Sequence, residues 1–131
     1  MSNAFSHTSS QTMMIDGPVG QLELLTTAPS LSEPSSYVAI ICHPHPLFQG
    51  TMHNKVVTTL AKSVSDVMPT IRFNFRGVGQ SGGSYGAGVG ECDDLRAVMA
   101  WAQEQHKGCQ CILMGFSFGA GVAAAVANET S

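Results

Sequence analysis

At 131 residues and 13.7 kDa the chain fits one domain with a real core. It is 44% hydrophobic and 11% charged, with a net charge of -3 and only six Lys plus Arg, which excludes the clustered positive charge that a nucleic-acid partner demands. The longest strongly apolar runs, Val38 to Cys42 and Ala120 to Ala127, fall well short of the ~18 residues of a membrane helix. Residues 1–12 are polar and Ser/Thr-rich, without the basic start and apolar middle of a secretory leader, and Ser2-Asn3-Ala4 resembles an expression-tag scar. They read as a disordered or tag-like N-terminus, with residues 13–131 as the folded portion. Cysteines 42, 92, 109 and 111 show no zinc spacing, and three lie in apolar patterns. Buried reduced thiols in a cytoplasmic protein are expected, with no metal.

Met13 to Ile15, a turn at Asp16-Gly17-Pro18, and Gly20 to Thr27 form the pattern of an antiparallel hairpin, with Leu22 and Leu24 alternating against Gln21 and Glu23. Residues 28–36, with Pro29, Pro34 and four serines, read as a loop. Tyr37 to Cys42 is a continuous apolar run of the length of a buried parallel strand. His43-Pro44-His45-Pro46-Leu47 closes it. The prolines forbid helix and remove two N–H donors, leaving His45 and Leu47 as backbone donors. A metal reading of the two histidines lacks a local third ligand.

A helix is expected over 52–65, with Met52, Val56, Leu60 and Val64 on its core stripe and His53, Asn54, Lys55 and Lys62 on the solvated side. Thr70 to Phe75 alternates Ile71, Phe73 and Phe75 with Arg72 and Asn74, marking another core strand. Seven of the 14 glycines then fall between Arg76 and Gly90. Gly77 to Gly82 satisfies G-x-G-x-x-G, but a dinucleotide site needs a helix to open at once, and here the glycines run on as loop. Glu91 to Gln105 follows as a helix with Leu95, Val98, Met99 and Ala102 on one face. Its acids Glu91, Asp93 and Asp94 suit the positive end of the helix dipole.

Cys109 to Met114 is a further strand, and Gly115-Phe116-Ser117-Phe118-Gly119 leads from it into the small-residue run Ala120 to Ala127. This is the G-x-S-x-G pattern of a nucleophile elbow, a strained strand-to-helix turn that exposes a serine hydroxyl and needs small residues two positions to either side. The helix that follows favours negative charge developing at its start. Strands alternating with helices imply a doubly wound, mostly parallel α/β sheet, and His43 to Leu47, Arg76 to Gly90 and Ser117 all fall at the carboxyl ends of strands, where ligands bind.

His-Pro-His-Pro-Leu at 43–47, Arg-Phe-Asn-Phe-Arg-Gly-Val-Gly at 72–79 and Gly-Phe-Ser-Phe-Gly at 115–119 together resemble the small bacterial serine hydrolases of the α/β-hydrolase superfamily, over about residues 15–127. The resemblance implies that Ser117 is a nucleophile toward an ester or thioester carbonyl. It also implies an oxyanion hole built from the N–H of Phe118 and that of His45, with Leu47 as the fallback, and a strand order of 1-2-4-3-5. No cofactor is implied.

In that superfamily the triad acid and histidine follow the elbow at a distance, whereas only 14 residues follow Ser117. The expectation is therefore an α/β-hydrolase fold truncated after the elbow helix, impaired in catalysis, with the elbow strand left as an open apolar edge. His43 or His45 as a replacement base is a further possibility, since their strand neighbours the elbow strand in that order. The alternative is a non-catalytic α/β domain that binds a ligand or self-associates through the edge. Expected partners are a small ester or thioester substrate, no nucleic acid or membrane, and a homo-oligomer.

Overall fold

A computed structural model describes residues 10–29 and 35–129. Strands β1 (Ser10–Asp16), β2 (Gln21–Thr27), β3 (Tyr37–Cys42), β4 (Thr70–Phe73) and β5 (Gln110–Gly115) form one sheet in the order β1-β2-β4-β3-β5. Helices α1 (Lys55–Val64), α2 (Val89–Gln105) and α3 (Phe118–Glu129) connect or follow them. The β1–β2 hairpin runs antiparallel and joins β4 antiparallel, while β3 pairs in parallel with β4 and with β5. The sheet order is the one the superfamily resemblance implies.

Strand alternation decides which helix each side chain meets. Val38 and Ile40 of β3, with Ile71 and Phe73 of β4, join the core beneath α2 and α3, where Leu95, Val98, Ala102, Val122 and Val126 complete it. Ile41 points to the opposite face and packs with Val57 and Ala61 of α1. Both faces of the parallel part are thus covered, which is why β3 reads as an unbroken apolar run. Ile71, Phe73 and Phe75 are all fully buried, as their alternation predicts.

Three expectations shift. Strand β1 begins at Ser10, so residues 10–12 belong to the hairpin rather than to the tag-like start. Helix α1 begins at Lys55, because the Asn54 side chain accepts from the N–H groups of Val56 and Val57 and caps the helix there. That start places Val57 and Ala61 inward and leaves Val56 37% exposed; Met52 is buried, but from the preceding loop. Helix α2 begins at Val89, two residues before the expected Glu91 and seven after Gly82, so the glycine run up to that point is the loop its sequence suggests.

The acids of α2 also do more than complement a dipole. Glu91 is fully buried, and its two carboxylate oxygens accept from the N–H groups of Gly86 and Gly88, at 2.8 and 2.9 Å. Asp94 is fully buried and holds Arg76 through Nε, Nη2 and the backbone N–H, with Nη2 at 2.9 Å. Only Asp93 lies on the surface, paired with Arg96.

Candidate active site

Ser117 sits between β5 and α3 with φ +58, a left-handed conformation that costs a non-glycine residue on the order of 1 kcal/mol or more. The turn survives because it is over-determined. Phe116 N–H donates to Cys42 O across from β3, while Gly119 N–H donates to Phe116 O and Gly121 N–H to Ser117 O. Both flanking glycines are required sterically. A Cβ on Gly115 would lie 2.5 Å from the backbone of Gly119, and one on Gly119 would overlap Cys42 O. The serine side chain is exposed, and its hydroxyl has no hydrogen-bond partner among the described residues.

The loop after β3 packs on this elbow. The ring of His45 lies 4.9 Å from that of Phe118, 4.8 Å from Phe48 and 5.1 Å from Tyr85. His45 Nδ1 accepts from Leu47 N–H at 3.1 Å, which leaves the neutral ring its proton on Nε2 to donate to the Tyr85 hydroxyl, also at 3.1 Å. Leu47 N–H is therefore committed and drops out as the fallback oxyanion donor. Among the described residues, the N–H groups of Phe118 and His45 have no acceptor within the chain. Tyr85 was hidden in the sequence by its glycine-rich surroundings; the signal was one aromatic residue in a loop of small residues at a strand's carboxyl end.

His43 is fully buried against the Phe75 ring at 4.8 Å. Its Nδ1–H donates to Pro44 O at 2.7 Å, and Nε2 accepts from Phe75 N–H at 3.1 Å. Both ring nitrogens are consumed, and burial lowers its pKa from 6.5 to about 4, outweighing the opposing pull of the Pro44 carbonyl and the Glu91 carboxylate. Neither His43 nor His45 hydrogen-bonds Ser117, and the ring nitrogens of both are held by other partners. His106 Nε2–H donates to Ser35 O at 2.7 Å, at the other end of the sheet, and His53 is exposed on the approach to α1. Among the described residues no group of three His, Cys, Asp or Glu side chains could hold a metal ion, and no helix is long and apolar enough to cross a membrane.

The family profile described as alpha/beta hydrolase fold matches residues 41–130. The chain belongs to the α/β-hydrolase family. It is similar to an α/β serine hydrolase homologue from Coxiella burnetii, at 52% identity and TM-score 0.89, covering 92% of this chain and 58% of that one. It is also similar to an α/β serine hydrolase without a lid from Xanthomonas campestris, at 42% identity and TM-score 0.88, covering 97% and 59%. An uncharacterised protein of Rickettsia prowazekii is 41% identical over 110 residues, 82% of this chain and 45% of the relative. The chain thus spans between 45% and 59% of the length of these three relatives.

Within this α/β-hydrolase domain the second motif, Arg72 to Gly79, acts as a clasp. Asn74, almost fully buried, accepts from Met52 N–H through Oδ1 at 2.8 Å and donates through Nδ2 to Glu23 Oε1 at 2.9 Å. Glu23 Oε1 also accepts from Gln80 N–H, and the Ser81 hydroxyl bridges Asn74 O and Glu23 N–H. Hairpin, β4 and both loops at the strand ends are thereby fixed to one another.

His43 sets a pH dependence. Its folded pKa lies below its unfolded value, so its contribution is fully present above pH 6.5 and is lost as pH falls toward about 4. The loss amounts to about 3 kcal/mol in all. Urea unfolding at pH 7 and at pH 4.5 is expected to show a smaller difference for His43→Asn than for the unsubstituted protein. Equal differences would show that His43 does not titrate with folding.

Proposed function

We propose that Ser117 is the nucleophile of a serine hydrolase that cleaves a carboxylic ester or thioester through an acyl-serine intermediate. The observation that carries this reading is the exposed Ser117 at φ +58 on a strand-to-helix turn, directly before the uncommitted N–H of Phe118. Attack by Oγ on the carbonyl carbon would put negative charge on the carbonyl oxygen, with the N–H groups of Phe118 and His45 as its donors. Each such donor contributes on the order of 3 kcal/mol to lowering the barrier. The four cysteines are all free thiols, in keeping with a reducing, cytoplasmic compartment. No described side chain hydrogen-bonds the Ser117 hydroxyl, and in this reading the acid and the histidine of the triad come from outside the described residues.

Intact-mass analysis after treatment with a fluorophosphonate probe tests the nucleophile. Labelling that disappears in Ser117→Ala is expected wherever the base is supplied, in a longer form of the protein or by a partner chain. A full-length form that is folded and stays unlabelled would refute the assignment.

A second reading, a binding or self-associating domain, is favoured by β5. Among the described residues it pairs only with β3, and its Ile112 is 37% exposed. Ala120, Gly121, Ala124, Ala125 and Ala127 of α3 present a small apolar surface nearby. The 131-residue chain is expected to form dimers in light scattering, and Ile112→Lys, which places a charge on the open edge, to shift it to monomer. A monodisperse monomer before substitution would remove this reading.

A further inference from the structure

A second cluster lies away from Ser117, beneath α1 on the hairpin side. A cavity of about 180 Å³ is lined there by Arg72, Lys62 and the hydroxyl residues Ser10, Thr27, Thr58 and Ser65. Two of these are cations and none is an acid. Glu23 shares a strand with Thr27, but its Oε1 is occupied by Asn74 and Gln80. Asp66, next in the chain to Ser65, is exposed and does not line the cavity.

The guanidinium of Arg72 is half-buried and fixed by Nη1–H donating to Met52 O at 2.8 Å. Its Nε–H is the one buried side-chain polar atom without a hydrogen-bond partner among the described residues. Nε–H and the adjacent Nη2–H form the edge of the guanidinium that grips carboxylate or phosphate with two parallel hydrogen bonds, and Met52 occupies only the other side. No carboxylate pairs with Arg72 or Lys62 among the described residues, and burial without a counter-ion lowers the Arg72 pKa. An unpaired buried donor and an uncompensated charge are each unfavourable. The Nε–H is closed off from solvent as the side chain stands, so a ligand bearing acceptors and negative charge relieves both once the guanidinium turns its free edge into the cavity.

The volume discriminates further. A water molecule occupies about 30 Å³ in the liquid, so the cavity admits a tetrahedral oxyanion along with some of its hydration. The hydroxyls are partly committed: Ser10 and Thr27 bond each other at 3.0 Å, and Thr58 donates to Lys55 O. The Ser10–Thr27 pair retains one proton to donate, and the Lys62 ammonium has no partner among the described residues.

We propose that Arg72 and Lys62, with the Ser10–Thr27 hydroxyl pair, form a binding site for a phosphate-type oxyanion, separate from the serine site. Inorganic phosphate and the phosphate of a small phosphomonoester share this chemistry.

Titration with inorganic phosphate, and separately with methyl phosphate, at fixed pH and with ionic strength balanced by sodium chloride, tests it in two ways. The side-chain Nε–H resonance of Arg72 is expected to shift saturably, and the thermal midpoint to rise along the same curve. Lys62→Gln, a surface change that leaves the fold intact, is expected to weaken the half-saturation concentration roughly fivefold, and Ser117→Ala to leave it unchanged. Arg72→Lys, which removes the two-pronged edge, is expected to abolish saturation. Saturation by both anions would identify the free ion as sufficient; saturation by methyl phosphate alone would mean that the ligand carries an organic group. No saturable shift with either anion, or one that Lys62→Gln leaves unchanged, would overturn the site.

Discussion

Asp94→Ala is expected to destabilise the domain by about 3 to 5 kcal/mol, the range for removing one partner from a buried ion pair. The Asp94 side chain is wholly buried and that of Arg76 only 11% exposed. Removing the carboxylate deprives the guanidinium of its Nε and Nη2 contacts and orphans Arg76 N–H, leaving only Gly90 O as an acceptor for the charge. The double variant Arg76→Met, Asp94→Leu is expected to recover part of this loss, because the cost lies in the stranded charge more than in the absent attraction. Denaturant unfolding of the three proteins decides it; an Asp94→Ala loss under 1 kcal/mol would mean that Arg76 finds water in the native state. The effect reaches the site through the loop that follows Arg76. That loop delivers Tyr85 to His45, and His45 packs on Phe118, so under the proposed function loosening it is expected to slow fluorophosphonate labelling of Ser117, with the base supplied, at temperatures where the domain is still folded.

What was legible in the sequence divides along a physical line. Patterns held by neighbours in the chain could be read: the continuous run of β3, the alternation of β4, the glycines around Ser117, and the breaks made by prolines. Each reports a local demand of period, steric room or backbone freedom. Features held by groups far apart could not. Glu91 and Asp94 look like an acidic first turn until the fold brings a loop and Arg76 onto them, and that loop lies on the same side of the helix as the core. The histidines of the first motif show the same limit. Their spacing alone decided no role, and only the partners Pro44, Phe75, Leu47 and Tyr85 reveal that both rings are engaged in holding the loop. The start of α1 was misread for a smaller reason. Met52 continued an apolar stripe that the Asn54 cap interrupts, so the true inward face is one residue out of phase with the apparent one.

Gly119→Ala tests the elbow itself, and a loss on the order of 3 kcal/mol is expected, at the upper end for overpacking because the obstruction is backbone. The new methyl group would overlap Cys42 O and lie 2.5 Å from His43 O, so the first turn of α3 would have to move off the end of β3. That movement would strain the 3.4 Å contact from Phe116 N–H to Cys42 O, which holds the turn at Ser117. Gly115→Ala is expected to behave alike, since its Cβ would meet Gly119 and Ala120 backbone at 2.5 and 2.6 Å. Gly121→Ala supplies the opposite sign two residues along the same helix. A Cβ there meets nothing within 4 Å, so the gain in helix propensity, about 0.5 to 1 kcal/mol, is expected to appear undiminished. Thermal and urea unfolding of the three variants would separate the cases. If Gly119→Ala and Gly121→Ala had equal effects, the glycines of the elbow would be a matter of chain flexibility alone. Opposite signs would show that the position of Ser117 is set by the distance at which α3 can approach β3.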